Sequence, residues 1–155
     1  MTEAIKVLRS AQVEFTEHCF QYQDKGGTAH SSFSLGVNEH QVIKTLIFVT
    51  QDQVPLVMLM HGDCQVDVKR LAQQLDVKRV RPIGAELAEK VTGYQVGGIS
   101  PFGLREPLMI CAESSIFAFE KIFINGGQRG FLVCLKTEDL DRVLNPLRVD
   151  VAVKK

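Results

Sequence analysis

Two apolar runs separated by a short polar turn restrict the fold of this chain more than any other feature. Ile43-Lys44-Thr45-Leu46-Ile47-Phe48-Val49 and Leu56-Val57-Met58-Leu59-Met60 have no polar face, and Gln51-Asp52-Gln53 lies between them. Side chains two apart on a strand share a face, so strands apolar at both parities belong in the middle of a sheet covered on both sides. The short connection predicts an antiparallel pair. Lys44 interrupts the pattern, sharing its face with Leu46 and Phe48. Either its stem is buried while the ammonium reaches water, or the cation is aimed into a pocket.

The covering elements follow from period and capping. Thr2 is placed to cap a helix with Ala4, Val7, Leu8 and Ala11 on one face, and Val13 and Phe15 then alternate with Glu14 and Thr16 as a half-buried strand. Thr28 is placed to cap a short helix that carries His30 and stops at Gly36, and Asn38 with Gln41 suits a second cap. Asp67, between Val66 and Leu71, opens a helix whose inward stripe is Val68, Leu71, Ala72 and Leu75. Residues 85–91 read as a helix stopped by Gly93, and 108–111 as a buried strand. Residues 122–124 and 131–135 form a hairpin across Asn125-Gly126-Gly127-Gln128-Arg129-Gly130. Thr137 starts a last helix that ends before Pro146, and Val149, Val151 and Val153 suit an edge strand.

With 155 residues and no linker or repeat, the chain reads as one α+β domain over 1–155, large enough to bury roughly 70% of its unfolded surface. Its 18 basic and 18 acidic residues cancel, so no global field advertises a polyanionic partner. Lys69, Arg70, Lys78, Arg79 and Arg81 form the dense basic cluster, which is either a solvated helix end or a place for a phosphate backbone. The first residues lack the order of a secretory signal and no apolar run approaches a membrane span, so a cytoplasmic protein without membrane contact is expected. Cys19, Cys64, Cys111 and Cys134 have no metal-type spacing and read as reduced thiols, with no disulfide and no metal. There is no G-x-S-x-G elbow, Walker loop, H-E-x-x-H or dinucleotide fingerprint, so no cofactor is expected.

The remaining concentration of special residues is Gly97-Gly98-Ile99-Ser100-Pro101-Phe102-Gly103. Glycines allow close main-chain approach and positive φ, and Ser100 offers a hydroxyl; a tight turn is the plainer reading. With Lys44 and the hairpin residues Asn125 and Arg129, the inventory suits a site that binds and polarises oxygens without a protein nucleophile.

Val42-Ile43-Lys44-Thr45-Leu46, Thr92-Gly93-Tyr94-Gln95-Val96 running on into the glycine-serine-proline loop, and Asn125-Gly126-Gly127-Gln128-Arg129-Gly130 together resemble the YbaK proteins and the editing domain of bacterial prolyl-tRNA synthetases. The likeness runs across nearly the whole chain. It implies a mixed, mostly antiparallel sheet curled toward a barrel beside helices, and hydrolysis of the aminoacyl ester of mischarged tRNA. It also implies that Lys44 is the family's lysine and that Gly97 and Gly98 supply N–H groups near the ester. Ser100 and Pro101 would shape that wall, with Phe20, His30, Thr45, Asn125, Gly126, Gly127 and Arg129 as further substrate-binding positions. Attack would come from a water activated by a substrate hydroxyl, or from the thiol of a cysteinyl substrate.

Members of the Cys-tRNA(Pro) type usually carry a tyrosine where this chain has Phe20, a serine where it has Asn125 and an acid where it has Leu132. The amino acid removed from tRNA(Pro) is therefore open between cysteine and another small residue. So is the choice between a deacylase, with or without a prolyl-tRNA synthetase partner, and a non-catalytic module binding an aminoacyl or nucleotide end.

Overall fold

The computed structural model of the protein describes residues 1–155. In chain order the elements are α1 (Glu3–Ser10), β1 (Phe15–Cys19), α2 (Gly27–Leu35), β2 (Val42–Thr50), β3 (Pro55–His61), β4 (Cys64–Val66), α3 (Val68–Leu75) and β5 (Val80–Pro82). They continue as α4 (Ala85–Thr92), β6 (Met109–Glu113), β7 (Lys121–Gln128), β8 (Phe131–Lys136), α5 (Thr137–Leu144), β9 (Leu147–Val149) and β10 (Ala152–Lys154). Short 3-10 turns occupy Glu39–Gln41 and Ser114–Ala118.

The two apolar runs are the central strands β2 and β3, paired antiparallel from Ile43 opposite His61 to Val49 opposite Pro55. The mixed sheet runs β1-β8-β7-β2-β3-β6-β9, with β5 also on β2. Its β2–β7, β3–β6 and β6–β9 junctions are parallel. The sheet is open and does not close into a barrel, since the outer strands β1 and β9 do not pair with each other. A separate ribbon of β4 and β10 folds over one face.

Both parities of β2 and β3 are buried, as two-sided strands require. Ile43, Ile47, Val57 and Leu59 join α1, α4 and α5 in one core through Leu8, Val91 and Leu140. Phe48, Met58 and Met60 join α3 and the ribbon in another through Leu71, Cys64 and Val151. A small third cluster of Val42, Phe123 and Leu132 lies at the near end, with Phe20 and Leu35 against it.

Local signals held where they depended on neighbours alone. Thr2 caps α1 by accepting from Ile5 N–H, Asp67 caps α3 by accepting from Arg70 N–H, and Gly36 and Gly93 end their helices in the left-handed region. They failed where a distant partner took the side chain. Thr28 lies inside α2 and its hydroxyl donates to Glu39 and to Gly62 O, so Gly26 stands at the cap. Thr137 likewise gives its hydroxyl to Phe119 O, leaving Lys136 as the cap residue, and Gln41 reaches Lys121 O instead of closing a capping box. Val68 is exposed, and the expected C-terminal edge strand is two strands on different sheets. The four cysteines are free thiols. No helix is long and apolar enough to cross a membrane.

Candidate functional site

The site is set by an interruption of the sheet. One edge of β2 is paired with β3 throughout, while the other pairs with β7 at Val42 and Ile43 and with β5 from Phe48 to Thr50. Between those partners β2 passes through a fork with no strand beside it. Main-chain polar groups alternate between the two edges of a strand. Gly62 N–H donates to Val42 O on the β3 side, and Ile83 N–H to Ile47 O on the other, so the N–H and C=O of Thr45 open into the fork. The Thr45 hydroxyl is, moreover, the buried side-chain polar atom without a hydrogen-bond partner. Buried polar groups are nearly always satisfied, so this concentration of unmet bonding capacity makes the fork a candidate ligand position.

Lys44 lies beside Thr45 on the opposite face of the strand. Val42 pairs with Phe123 in parallel, so the next residues on that face are Lys44 and Asn125. Burial holds the Lys44 ammonium below the usual lysine range, and the charge of Lys155 adds to this while Cys64, Glu39 and Asp63 oppose it. Lys44 belongs to none of the ion pairs of the structure.

The glycine-serine-proline loop is fastened where β7 leaves β2. Asn125 Nδ2 donates to Gly97 O at 3.3 Å, and Arg129 Nε donates to Val96 O at 2.9 Å with its guanidinium over the Tyr22 ring. Asn125 Oδ1 accepts from Gly127 N–H and Gln128 N–H, shaping the bulge in β7. Asn125 and Arg129, expected on the substrate, therefore hold the loop. Gly126 packs its bare Cα against the Phe131 ring, and Gly127 has a positive φ of 98°.

Gly98 departs most from expectation. Its N–H donates to Gln95 O at 2.8 Å, closing a turn in which Gly97 takes φ 94°, the residue and sign a type II turn requires. The N–H expected to face an oxyanion is thus engaged within the loop. Gly97 N–H has no intramolecular acceptor and Gly97 is exposed. Ser100 is fully buried, its Oγ accepting from Phe102 N–H, and Pro101 is buried beside it, so both support the wall from behind. Tyr94 Oη closes the loop by donating to Phe102 O. His30 bonds Gln21 O and meets Phe20 edge to face, fixing the segment that carries Phe20 and Tyr22.

A polar network unsuspected from sequence flanks Lys44. His40 Nδ1 and Asp63 Oδ1 lie 2.7 Å apart, and the His40 ring stacks on fully buried His61 at 3.7 Å between centroids. His61 bridges His40 O and Ser115 Oγ, and Ser115 donates to Glu113. Burial pushes the His61 imidazole down, favouring its neutral form. The one sequence signal was a titratable residue ending an apolar strand. His40, Asp63 and Cys64 have donor atoms close enough to share a metal ion. Here they satisfy one another, with the Cys64 thiol pushed up by burial and donating to Asp63. A separate cavity of about 630 Å³ beside α1, lined by Ile5, Arg9, Glu17, Cys19, Phe20 and Arg129 among others, does not include Lys44, Thr45 or Gly97.

The family model that matches, over residues 28–143, is the aminoacyl-tRNA editing domain. The chain belongs to that family. It is 26% identical over 155 residues to EbsC of Enterococcus faecalis, named as a candidate Cys-tRNA(Pro)/Cys-tRNA(Cys) deacylase, covering 99% of this chain and 94% of EbsC. It is 30% identical over 97 residues to the proline–tRNA ligase of Ligilactobacillus salivarius, covering 63% of this chain and 17% of the ligase. Among solved structures, the hypothetical protein APE2540 superposes with a TM-score of 0.89 at 19% identity, covering 97% of this chain and 99% of that one. A candidate trans-editing enzyme for prolyl tRNA synthetase superposes with a TM-score of 0.81 at 17% identity, covering 100% and 99%. These likenesses establish the editing-domain fold.

Thr45→Val tests whether the unpaired hydroxyl serves a ligand. Removing a buried, unsatisfied hydroxyl is expected to stabilise the fold by about 1 kcal/mol. For a hydroxyl that bonds the substrate, the same change lowers kcat/KM on an aminoacyl-tRNA by about 10-fold. Thermal unfolding and deacylation are read on the same preparation; unchanged kcat/KM removes Thr45 from the site.

Proposed function

We propose that this protein is a trans-acting deacylase that hydrolyses the aminoacyl ester of mischarged tRNA, its substrate being Cys-tRNA(Pro) or, as the alternative, another small amino acid on tRNA(Pro). The observation that carries this reading is the fork in β2. A half-buried cation, an unpaired hydroxyl and main-chain groups without partners stand there together, beside a glycine loop pinned by Asn125 and Arg129. In this mechanism Lys44 and the free N–H of Gly97 stabilise negative charge as it develops on the ester carbonyl oxygen.

The protein supplies no nucleophile. Ser100 is buried with its hydroxyl engaged, and Cys64, whose thiol donates to Asp63, is itself buried, which pushes the thiol up and disfavours the thiolate. A water oriented by a substrate hydroxyl, or the substrate's own thiol, attacks the carbonyl carbon. The carbonyl–ribose bond then breaks and the ribose oxygen takes the proton. A prolyl-tRNA synthetase partner, if required, would present the tRNA and leave this chemistry unchanged.

The experiment is a panel of tRNA(Pro) species carrying cysteine, alanine, serine, threonine or proline, incubated with the protein. Release of cysteine faster than proline is the expected result, and faster release of another amino acid renames the substrate. Tight binding without hydrolysis of any member would replace the deacylase by a non-catalytic module.

A further inference from the structure

The match to the family model ends at residue 143, yet the segment beyond it is built into the rim of the site. The Glu113 carboxylate, itself buried, accepts from Val151 N–H at 2.7 Å and Ala152 N–H at 3.0 Å. Asp67 N–H donates to Val151 O, and Gln74 exchanges two hydrogen bonds with the main chain of Asp150. So anchored, β10 lies antiparallel on β4, with Ala152 opposite Val66 and Lys154 opposite Cys64.

Residues directly opposite in an antiparallel pair project on the same side. Cys64 points into the core shared with Met58 and Met60, and Met60 is the β3 partner of Lys44. Lys154 therefore projects toward the face that carries Lys44, at its open end, and Lys155 follows. Both are exposed, and neither forms an ion pair. Of the nearby carboxylates, Asp63 is bonded to His40 and Glu39 accepts from Thr28, and both still oppose the lowering of the Lys44 ammonium. The charge of Lys155 acts on Lys44 and Lys154 projects to the same side, so cationic groups collect at the open end of this face, where an anion is attracted. A substrate entering by its single-stranded 3′ end brings one anionic group per nucleotide, the phosphodiester.

We propose that Lys154 and Lys155 bind phosphodiesters of the 3′ end of tRNA next to Lys44, so that a segment past the matched residues 28–143 takes part in holding the substrate. This rests on the reading of the protein as one that acts on tRNA, and its test does not require turnover. Binding of uncharged tRNA(Pro) is measured over a range of salt for the full chain and for the double variant Lys154→Ala/Lys155→Ala. The variant is expected to bind about 10-fold more weakly at low salt. Its slope of log K against log salt should be shallower by about 1.4, the loss of two single-strand phosphate contacts. Lys154→Arg/Lys155→Arg should restore both values, and the alanine variant should unfold at the wild-type temperature because both side chains are exposed.

An unchanged affinity and slope in the alanine variant overturns the proposal, as does failure of the wild-type protein to bind tRNA. Binding that weakens as expected in a protein that hydrolyses no aminoacyl-tRNA leaves this proposal standing and removes the deacylase reading. Hydrolysis with unaltered binding in the variant does the reverse.

Discussion

Lys44→Ala is expected to lower kcat/KM on mischarged tRNA by about 10²-fold or more, the usual cost of deleting one group that stabilises a developing oxyanion. The fold should tolerate the change. Lys44 is only half-buried, forms no ion pair, and has its charge opposed by Lys155, so removing the ammonium relieves both desolvation and repulsion. Loss of packing along the stem offsets part of that gain, and the unfolding temperature should stay within roughly 3 °C of wild type. Single-turnover deacylation at saturating enzyme, beside a thermal melt, separates the effects. Full activity in a folded Lys44→Ala protein would falsify the assignment of Lys44 to the reaction.

Gly98→Ala should produce the second large effect, for a different reason. A Cβ at Gly98 would lie 2.7 Å from Arg129 N and 2.8 Å from the carbonyl carbon of Gln128, and main-chain atoms of a pinned hairpin cannot swing aside. Overpacking of this kind costs about 3 kcal/mol, or roughly 6–12 °C in unfolding temperature for a chain of this size. Activity should fall with it, since the added methyl is accommodated only by moving the loop off the hairpin and Gly97 away from Asn125. Gly97→Ala should be milder in stability despite its positive φ, because its new Cβ meets the end of the Tyr22 side chain. Equal stability of Gly98→Ala and wild type would mean that the loop does not rest on the hairpin.

The central strands were legible because two-sided apolar runs have no other stable placement, and the helix ends at Gly36 and Gly93 because left-handed glycine is a local property. The fork was not legible. It depends on which edge of β2 receives β5 and β7, and β7 lies far along the chain in a parallel register that no local pattern encodes. Lys44 and Thr45 could be singled out by type and by family resemblance, but the open main chain at Thr45 exists only in three dimensions. Asn125 and Arg129 illustrate the converse, since a polar side chain on a glycine hairpin reads as a ligand contact until its partner, the carbonyl of Gly97 or Val96, is in place. The His61–Ser115–Glu113 chain joins residues from separate elements and gave no periodic signal.

A recognition surface made by a missing neighbour in a sheet has an evolutionary consequence. The main-chain groups at Thr45 persist under almost any substitution that preserves the strand order, so the reactive frame is inherited with the topology. Specificity is then free to vary. In the proposed reaction, changes at Phe20 or Leu132 would alter which amino acid is admitted without moving the loop that Asn125 pins. This protein and APE2540 share the fold at a TM-score of 0.89 with 19% of residues identical. Under the proposed function, a new proofreading task would need only a few side chains retuned around an unaltered gap.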